Sequence, residues 1–288
     1  MAKRNKKEVE IEFEEEEEVK EPIKAVNKSA KELYIHELDP HSIHPQNAED
    51  IKLGGSKLVV IGKPGTGKST LIDSILYYKR HIFPVGAVQS GTEDSNASWS
   101  KRFPSLFIFP KLDSRAIEKT IQRQKIARRH LKNPWAVYLL DDCTDDPKHL
   151  TKPLFQGIFK NGRHWAELFI LSLQYCLDVK PVIRNSIDGV FILKEPNPGV
   201  REKLWKNYGS AIPTLDLFNT LMDALTDDFC AIYINNRTSS NKLEDSVFYY
   251  KAPAPDSGKI PKDWKFGCEE YRNFSEERYN KSYSDPIF

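Results

Sequence analysis

A glycine-rich loop between an apolar strand and a helix constrains this chain more than any other feature. Residues 62–69 read Gly-Lys-Pro-Gly-Thr-Gly-Lys-Ser and match the pattern G-x-x-x-x-G-K-[ST] at every fixed position. Residues 58–61 precede the loop as a short, continuously apolar run, which is typical of a buried central strand. The helix predicted over 69–80 carries Leu71, Ile72, Ile75 and Leu76 on one face. A strand, this loop and a helix in that order form the context in which the motif binds phosphate.

Each residue type in the loop has a physical role in holding a polyphosphate. Glycines let successive backbone N–H groups point at one anion, and the helix that begins near Lys68 adds the positive end of its dipole. Lys68 is predicted to reach the β- and γ-phosphates of ATP, and the Ser69 hydroxyl is predicted to bind Mg²⁺. A chance glycine-rich turn is the alternative, with odds of roughly one in a hundred for a chain of this length. The predicted nucleotide contacts are Gly62, Lys63, Pro64, Gly65, Thr66, Gly67, Lys68, Ser69 and Thr70.

Two carboxylates follow the apolar run 135–140, as a magnesium-dependent ATPase requires. Asp141 is predicted to be the Walker B metal ligand. Asp142 is predicted to be the base that activates the attacking water, although an aspartate is one methylene shorter than the glutamate common at this position. The alternative is that both residues form a turn or cap a helix. Residues 145–146 are also aspartates, but no strand precedes them, and we expect them to cap the next helix.

Three further polar residues are candidates for contact with the γ-phosphate. Gln174 ends the apolar run 169–173 and is predicted to be a sensor, with a strand-end turn as the alternative. Arg163 and Arg184 lie near predicted strand ends, where a guanidinium can neutralise charge on a transferring phosphate, often from an adjacent subunit. A surface salt bridge is the alternative for each arginine. The sequence leaves open which arginine, if either, reaches a neighbouring site.

Strand and helix patterns alternate after residue 57, which predicts an α/β fold with a mostly parallel sheet sandwiched by helices. A terminal β-hairpin is predicted from two strands around a polar turn, 229–234 and 246–250. The other predicted strands are 84–89, 106–109, 136–140, 168–173 and 189–193, and the other predicted helices are 113–131, 148–160, 198–207 and 214–226. The helix over 113–131 is basic, which fits either contact with nucleic-acid phosphates or a solvated face.

Charge and composition divide the chain into four segments. Residues 1–24 contain six Lys or Arg and nine Glu, and we expect this acidic segment to be disordered. Residues 25–55 are predicted to be a lead-in, 56–251 a P-loop ATPase domain, and the proline-containing stretch 252–288 an extended tail. The four cysteines form no CxxC pair, and we expect reduced thiols in a cytosol-like compartment. No apolar run approaches the ~20 residues of a transmembrane segment.

Taken together, these motifs resemble those of the genome-packaging ATPases of nucleo-cytoplasmic large DNA viruses, a branch of the FtsK–HerA translocases. The resemblance covers about residues 55–250, and a double aspartate stands where cellular relatives tend to have Asp-Glu. The stretches that carry it are Gly62 to Thr70; Ser90-Gly91-Thr92-Glu93 with Asn96 and Trp99; Leu139 to Cys143; and Asn161-Gly162-Arg163-His164 through Leu173-Gln174-Tyr175 to Ile183-Arg184-Asn185 and Asp188.

The resemblance implies a RecA-like (ASCE) core and a homo-oligomeric ring around double-stranded DNA. ATP hydrolysis at subunit boundaries would drive DNA into a capsid, with Gln174 as sensor and Arg163 or Arg184 acting in trans. Capsid or portal proteins are further expected partners, and the expected location is the virion and the viral factory in the host-cell cytoplasm, with the nucleus as an alternative. The alternatives in function are a HerA-like cellular helicase or translocase, a slow nucleotide-binding switch, and a small-molecule kinase, for which no arginine-bearing lid is evident.

Overall fold

A sheet of ten strands forms the centre of the protein in its computed structural model, which describes residues 23–26, 32–143, 150, 152–176 and 181–279. The strand order is β1-β2-β10-β9-β8-β3-β7-β6-β4-β5. The strands are β1 (Ile23–Val26), β2 (Glu32–Glu37), β3 (Ser56–Ile61), β4 (Val85–Ser90), β5 (Ile108–Phe109), β6 (Ala136–Asp141), β7 (Glu167–Leu173), β8 (Gly189–Ile192), β9 (Cys230–Asn235) and β10 (Val247–Lys251).

Six neighbouring strands, β8, β3, β7, β6, β4 and β5, run parallel to one another. Their shared direction brings the C-terminal ends of β3, β6, β7 and β8 to one side of the sheet, here called the carboxyl edge, and their starts to the opposite amino edge. β9 is antiparallel to both β8 and β10, so β9 and β10 form the predicted terminal hairpin. The predicted α/β fold with a mostly parallel sheet is confirmed.

The described residues form eight α-helices, and most of them pack on the two faces of the sheet. They are α1 (Lys68–Lys79), α2 (Glu93–Asn96), α3 (Ser114–His130), α4 (Pro153–Asn161), α5 (Pro181–Arg184), α6 (Pro198–Tyr208), α7 (Leu215–Leu225) and α8 (Glu269–Arg278). One apolar core lies between the sheet and α3, α4, α6 and α7, and the other includes α1 and Tyr271 of α8. Every residue of β3, β6 and β7 is buried, because helices cover both faces; this is why these strands read as continuous apolar runs.

Side-chain caps explain where several helices begin. Asp113, Asn197 and Thr214 each accept a hydrogen bond from a backbone N–H in the first turn of α3, α6 and α7, respectively. The helix predicted over 148–160 begins five residues later, at Pro153, which occupies a first-turn position that tolerates proline. In the described part of the chain, no helix combines the length and the apolar character that crossing a membrane requires.

The segments outside the predicted ATPase domain contain regular structure that the sequence did not indicate. The predicted lead-in includes β2, whose Ile35 is fully buried and which pairs in parallel with β10. The stretch predicted as an extended tail includes α8. Its Tyr271 is buried and donates its hydroxyl to Gly86 O at 2.6 Å. The four segment boundaries stay predictions. Residues 1–22, 145–146 and 280–288 lie outside the described residues.

Candidate nucleotide site

The glycine loop lies at the carboxyl edge, between the end of β3 and the start of α1. Gly65 and Gly67 have φ values of +77° and +96°, a left-handed conformation that glycine adopts without the steric penalty of a side chain. α1 begins directly at Lys68, so the N-terminal end of the helix faces the loop. The loop therefore has the curled backbone and the helix end that bind phosphate in proteins with this motif.

Lys68 connects the loop to the acid that follows β6. Its side chain is 6% exposed, and its Nζ donates a hydrogen bond to Gly62 O at 2.8 Å. The same Nζ lies 3.7 Å from Asp142 Oδ1. The ammonium group thus stands between the glycine loop and a carboxylate of the same chain, where phosphate oxygens of a nucleotide would meet it.

Asp141 is the last residue of β6 and is almost fully buried, with 2% of its surface exposed. Trp99 Nε1 donates a hydrogen bond of 2.8 Å to Asp141 Oδ2, whereas Oδ1 has no hydrogen-bond partner among the described residues. Burial raises the pKa of Asp141, and the indole N–H of Trp99 together with the hydroxyl of Ser172, which lies opposite Asp141 on β7, partly opposes this rise. A buried carboxylate oxygen without a donor is unfavourable unless it meets a proton or a cation.

The carboxylate of Asp141 and the hydroxyl of Ser69 fit the ligand preferences of a magnesium ion. Mg²⁺ takes oxygen ligands, keeps several waters, and is commonly bound through one or two carboxylates together with substrate phosphates. Asp141 Oδ1 supplies an unpaired carboxylate oxygen at the carboxyl edge, and the Ser69 hydroxyl stands in the first turn of α1 next to Lys68. The residues predicted to hold the metal are therefore of the right type and on the right edge.

Asp142 has a backbone φ of +48°, in the left-handed region. Aspartate and asparagine adopt this conformation more readily than other residues with side chains. The Asp142 side chain is 18% exposed, and its Oδ1 makes no hydrogen bond within the described structure. The turn after β6 thus places this partly buried carboxylate beside Lys68.

The remaining predicted residues divide between the two edges of the sheet. Gln174 directly follows β7 at the carboxyl edge and is exposed. Arg163 precedes β7, and its Nη2 donates a 2.6 Å hydrogen bond to the buried Asp188 at the amino edge. Arg184 ends α5 in the crossover between β7 and β8, with its guanidinium 5.9 Å from the ring centre of Tyr208.

The structure therefore gathers Lys68, Ser69, Asp141, Asp142 and Gln174 at one edge, and Arg163 of the same chain lies at the other. The catalytic, metal-binding and trans-acting roles of these residues stay predictions.

Two residues at the site have roles that the sequence analysis did not assign. Trp99 holds Asp141 through its indole N–H. Glu195, buried just after β8, accepts a 2.7 Å hydrogen bond from Lys63 Nζ and so ties the glycine loop to the neighbouring strand. Glu195 could have been found by the reasoning used for Asp141, because polar residues that follow parallel strands meet at the same edge. Trp99 lies in one of the stretches that carry the family resemblance, but its contact with Asp141 spans 42 residues of sequence and has no local signal.

Sequence comparison finds relatives in large DNA viruses. Uncharacterised protein 075L of Invertebrate iridescent virus 6 is 47% identical over 256 residues, which cover 88% of this chain and 98% of that protein. Uncharacterised protein 088R of Invertebrate iridescent virus 3 is 47% identical over 238 residues, 83% of this chain and 90% of that protein. No family model matches the chain.

Comparison with solved structures finds the same fold at low sequence identity. The genome packaging NTPase B204 of Sulfolobus turreted icosahedral virus 2, in complex with ATPγS, has a TM-score of 0.51 and 16% identity, and the match covers 68% of this chain and 97% of B204. The pCW3 conjugation coupling protein TcpA with ATPγS has a TM-score of 0.51 and 11% identity, covering 85% of this chain and 69% of TcpA. At these identities the likeness concerns the fold, and the fold is that of P-loop ATPases.

Proposed function

We propose a function for a chain that belongs to the family of large-DNA-virus proteins represented by 075L and 088R: it is a Mg²⁺-dependent ATPase that drives double-stranded DNA into a viral capsid. One observation carries the ATPase part of this proposal. Lys68 of the glycine loop, the unpaired Oδ1 of Asp141 and the carboxylate of Asp142 meet at the carboxyl edge of a P-loop fold. The structural neighbour B204 is a genome packaging NTPase, which supports the packaging part.

The proposed reaction is hydrolysis of the γ-phosphate by water. Lys68 binds β- and γ-phosphate oxygens, and Ser69 with Asp141 would hold Mg²⁺, which neutralises charge on the phosphates. Gln174 orients the water, and Asp142 accepts a proton from it. The water oxygen forms a bond to the γ-phosphorus as the bond between that phosphorus and the β–γ bridging oxygen breaks. The 3.7 Å separation of Lys68 Nζ and Asp142 Oδ1 supports the role of Asp142 as the base. A γ-phosphate bound by Lys68 would lie next to this carboxylate.

The proposal extends to assembly and location. The chain would act as a homo-oligomeric ring around double-stranded DNA, with Arg163 or Arg184 completing a neighbour's site and with capsid or portal proteins as partners. It would work in the virion and in the viral factory of the host-cell cytoplasm, or in the nucleus. The viral origin of the relatives supports packaging over a HerA-like cellular helicase or translocase, which would use the same chemistry.

The test is ATP hydrolysis by the full chain with and without long duplex DNA, at two salt concentrations. We expect strong stimulation by DNA that weakens as salt rises, because contacts with DNA phosphates release counterions. Lys68→Ala serves as the control and abolishes hydrolysis. Binding of ATP without turnover in either condition would indicate a switch, and phosphate transfer to a small acceptor without a DNA effect would indicate a kinase.

A second experiment addresses packaging itself. In cells infected by a virus whose copy of this gene carries Lys68→Ala, we expect capsids to accumulate without DNA. Normal DNA-filled capsids in those cells would contradict the packaging proposal and leave the ATPase proposal intact.

A further inference from the structure

An exposed aromatic ring lies against the glycine loop. Phe229 is 64% exposed, more than any other large hydrophobic side chain of the described residues. A β-carbon at position 67 would stand 3.3 Å from Cδ1 and 3.5 Å from Cβ of Phe229, so the ring contacts the loop at the residue before Lys68. A large apolar group is therefore held in solvent beside the phosphate-binding backbone.

The backbone that presents this ring is in an unfavourable conformation. Asp228 and Phe229 have φ values of +53° and +60°, in the left-handed region. For a bulky residue such as phenylalanine this conformation is a genuine outlier, and residues of this kind concentrate at ligand sites where the surrounding structure holds them in place. No burial of the ring compensates for the strain, since most of its surface faces solvent.

Contacts on both sides fix the turn between α7 and β9. Thr226 is buried and donates its hydroxyl to Met222 O of α7 at 2.6 Å. Asp227 pairs with Lys194, which follows β8, and Asp228 pairs with Lys251 at the end of β10. The turn that carries the ring is thus linked to α7, to the segment after β8 and to the end of β10.

Within the described structure no other aromatic ring stacks on Phe229, and the neighbouring carboxylates are already paired with lysines. A flat apolar face next to a phosphate cradle matches the chemistry of a nucleobase, which is joined to the α-phosphate through a single ribose. Bases stack on aromatic side chains whatever their identity, because every base has a π face.

We infer that Phe229 is the platform on which the base of the bound nucleotide stacks. The inference rests on the proposed function, which requires the glycine loop to hold a nucleoside triphosphate. It adds that the site recognises the base end as well as the phosphates, and that this recognition comes from the turn before β9. Since stacking tolerates different bases, Phe229 stabilises bound ATP and bound GTP alike.

The test separates the base from the phosphates. Binding of Mg-ATPγS and of Mg-tripolyphosphate, which lacks ribose and base, is measured by calorimetry for the unaltered protein, Phe229→Ala, Phe229→Trp and the control Phe274→Ala. Phe274 is 44% exposed on α8, where its ring lies next to Phe107 and Arg278. We expect Phe229→Ala to weaken ATPγS binding about tenfold, with tripolyphosphate binding unchanged. Phe229→Trp retains ATPγS binding, and Phe274→Ala changes neither ligand.

Two results would overturn the stacking role while leaving the proposed function in place. Equal weakening of both ligands by Phe229→Ala would mean that the ring only supports the loop at Gly67. Unchanged ATPγS binding would mean that the base lies elsewhere. Failure of the unaltered protein to bind either ligand would instead overturn the proposed function, and the inference with it.

Discussion

At the scale of single residues, the backbone after β6 gives a reason for aspartate rather than glutamate at position 142. The left-handed φ of +48° is tolerated best by aspartate and asparagine after glycine. A glutamate there would meet a steric penalty and would carry its carboxylate one methylene further from Cα. The shorter acid is therefore suited to this turn and still reaches within 3.7 Å of Lys68 Nζ.

This geometry makes Asp142→Asn an informative variant. Asparagine keeps the shape and the left-handed backbone but cannot accept the proton of water at neutral pH. We predict unchanged ATP binding and a loss of turnover of about a hundredfold or more, measured by calorimetry and single-turnover hydrolysis. Asp142→Glu, the control, keeps a carboxylate and loses less. Normal turnover in Asp142→Asn would exclude Asp142 as the base.

Trp99 offers a second test at this scale, because its indole N–H is the only hydrogen-bond donor to Asp141 Oδ2 seen in the described structure. Trp99→Phe keeps an aromatic ring and removes the donor, so the pKa of Asp141 rises further and Mg²⁺ competes less well with a proton. We predict that hydrolysis needs about tenfold more Mg²⁺ than in the unaltered protein, and that the difference between the two Mg²⁺ requirements becomes smaller as pH rises.

Trp264→Phe is the matched control for that measurement. Trp264 is also buried, but its Nε1 has no hydrogen-bond partner in the described structure, so the change removes ring volume without breaking a hydrogen bond. We expect its Mg²⁺ requirement to equal that of the unaltered protein. Equal Mg²⁺ requirements in the two variants would show that Trp99 acts only through packing.

Local sequence could predict those site residues whose role follows from a motif or a strand end. Lys68 and Ser69 belong to a fixed pattern, and Asp141 follows an apolar run. Glu195 follows a parallel strand and could have been found in the same way, but its contact with Lys63 depends on the sheet order. The contact of Trp99 with Asp141 has no short-range pattern in the sequence. The place of Phe229 beside the glycine loop could not be predicted either, because its contact with Gly67 joins residues far apart in the chain.

At the scale of elements, the extent of burial determined which helices and strands could be predicted from the sequence. The strands and helices of the central domain begin and end close to their predicted bounds, because both faces of the sheet are covered and long apolar runs result. The helix α8 was missed because eight of its ten residues are not buried, so little apolar periodicity marks it. β2 was missed because it pairs with β10, a strand that lies more than two hundred residues later.

Glu167, the first residue of β7, gives a prediction about stability. Burial raises its pKa to about 8, with partial opposition from Arg123, and its Oε2 has no hydrogen-bond partner among the described residues. The folded state keeps this proton while the unfolded state releases it above about pH 4.5, so the stability of the protein falls as pH rises from about 5 to 8. Glu167→Gln mimics the protonated acid and removes that dependence.

We therefore predict that Glu167→Gln gains stability relative to the unaltered protein between pH 5 and pH 8, on the order of 3 kcal/mol. Urea unfolding at the two pH values measures the difference. Glu118→Gln, an exposed change on α3, serves as the control and shows no such gain. A constant difference between Glu167→Gln and the unaltered protein across this range would mean that Glu167 is ionised in the folded state.

At the scale of the whole molecule, the two edges of the sheet carry different groups. The carboxyl edge holds the candidate nucleotide site. At the amino edge the buried Asp188 accepts hydrogen bonds from the Lys57 backbone N–H and from Arg163, and its carboxylate also lies 3.6 Å from Arg237. These contacts join the starts of β3 and β8 to the segments before β7 and after β9, so Asp188 stabilises the sheet where no chemistry is proposed.

The contacts of the two arginines lead to a prediction about which one acts between subunits. Arg163 already pairs with Asp188 at the amino edge. We predict that Arg163→Ala lowers the free energy of unfolding by about 1–3 kcal/mol and keeps the rate of hydrolysis per folded molecule. Arg184 makes no ion pair among the described residues, and we predict that Arg184→Ala alone is inactive. Mixed with Lys68→Ala, it regains DNA-stimulated hydrolysis, because each Lys68→Ala subunit supplies an intact Arg184 to its neighbour.

The control for this mixing experiment follows from the 3.7 Å contact between Lys68 and Asp142 within one chain. Lys68→Ala mixed with Asp142→Asn contains no subunit with an intact cis site, so no activity should return. Recovery in that mixture would contradict a site whose lysine and base come from one subunit. Two results together would assign the trans-acting role to Arg163 instead. Activity would not return with Arg184→Ala, and it would return when an inactive Arg163→Ala is mixed with Lys68→Ala. The ion pair of Arg163 with Asp188 would then have to break on assembly.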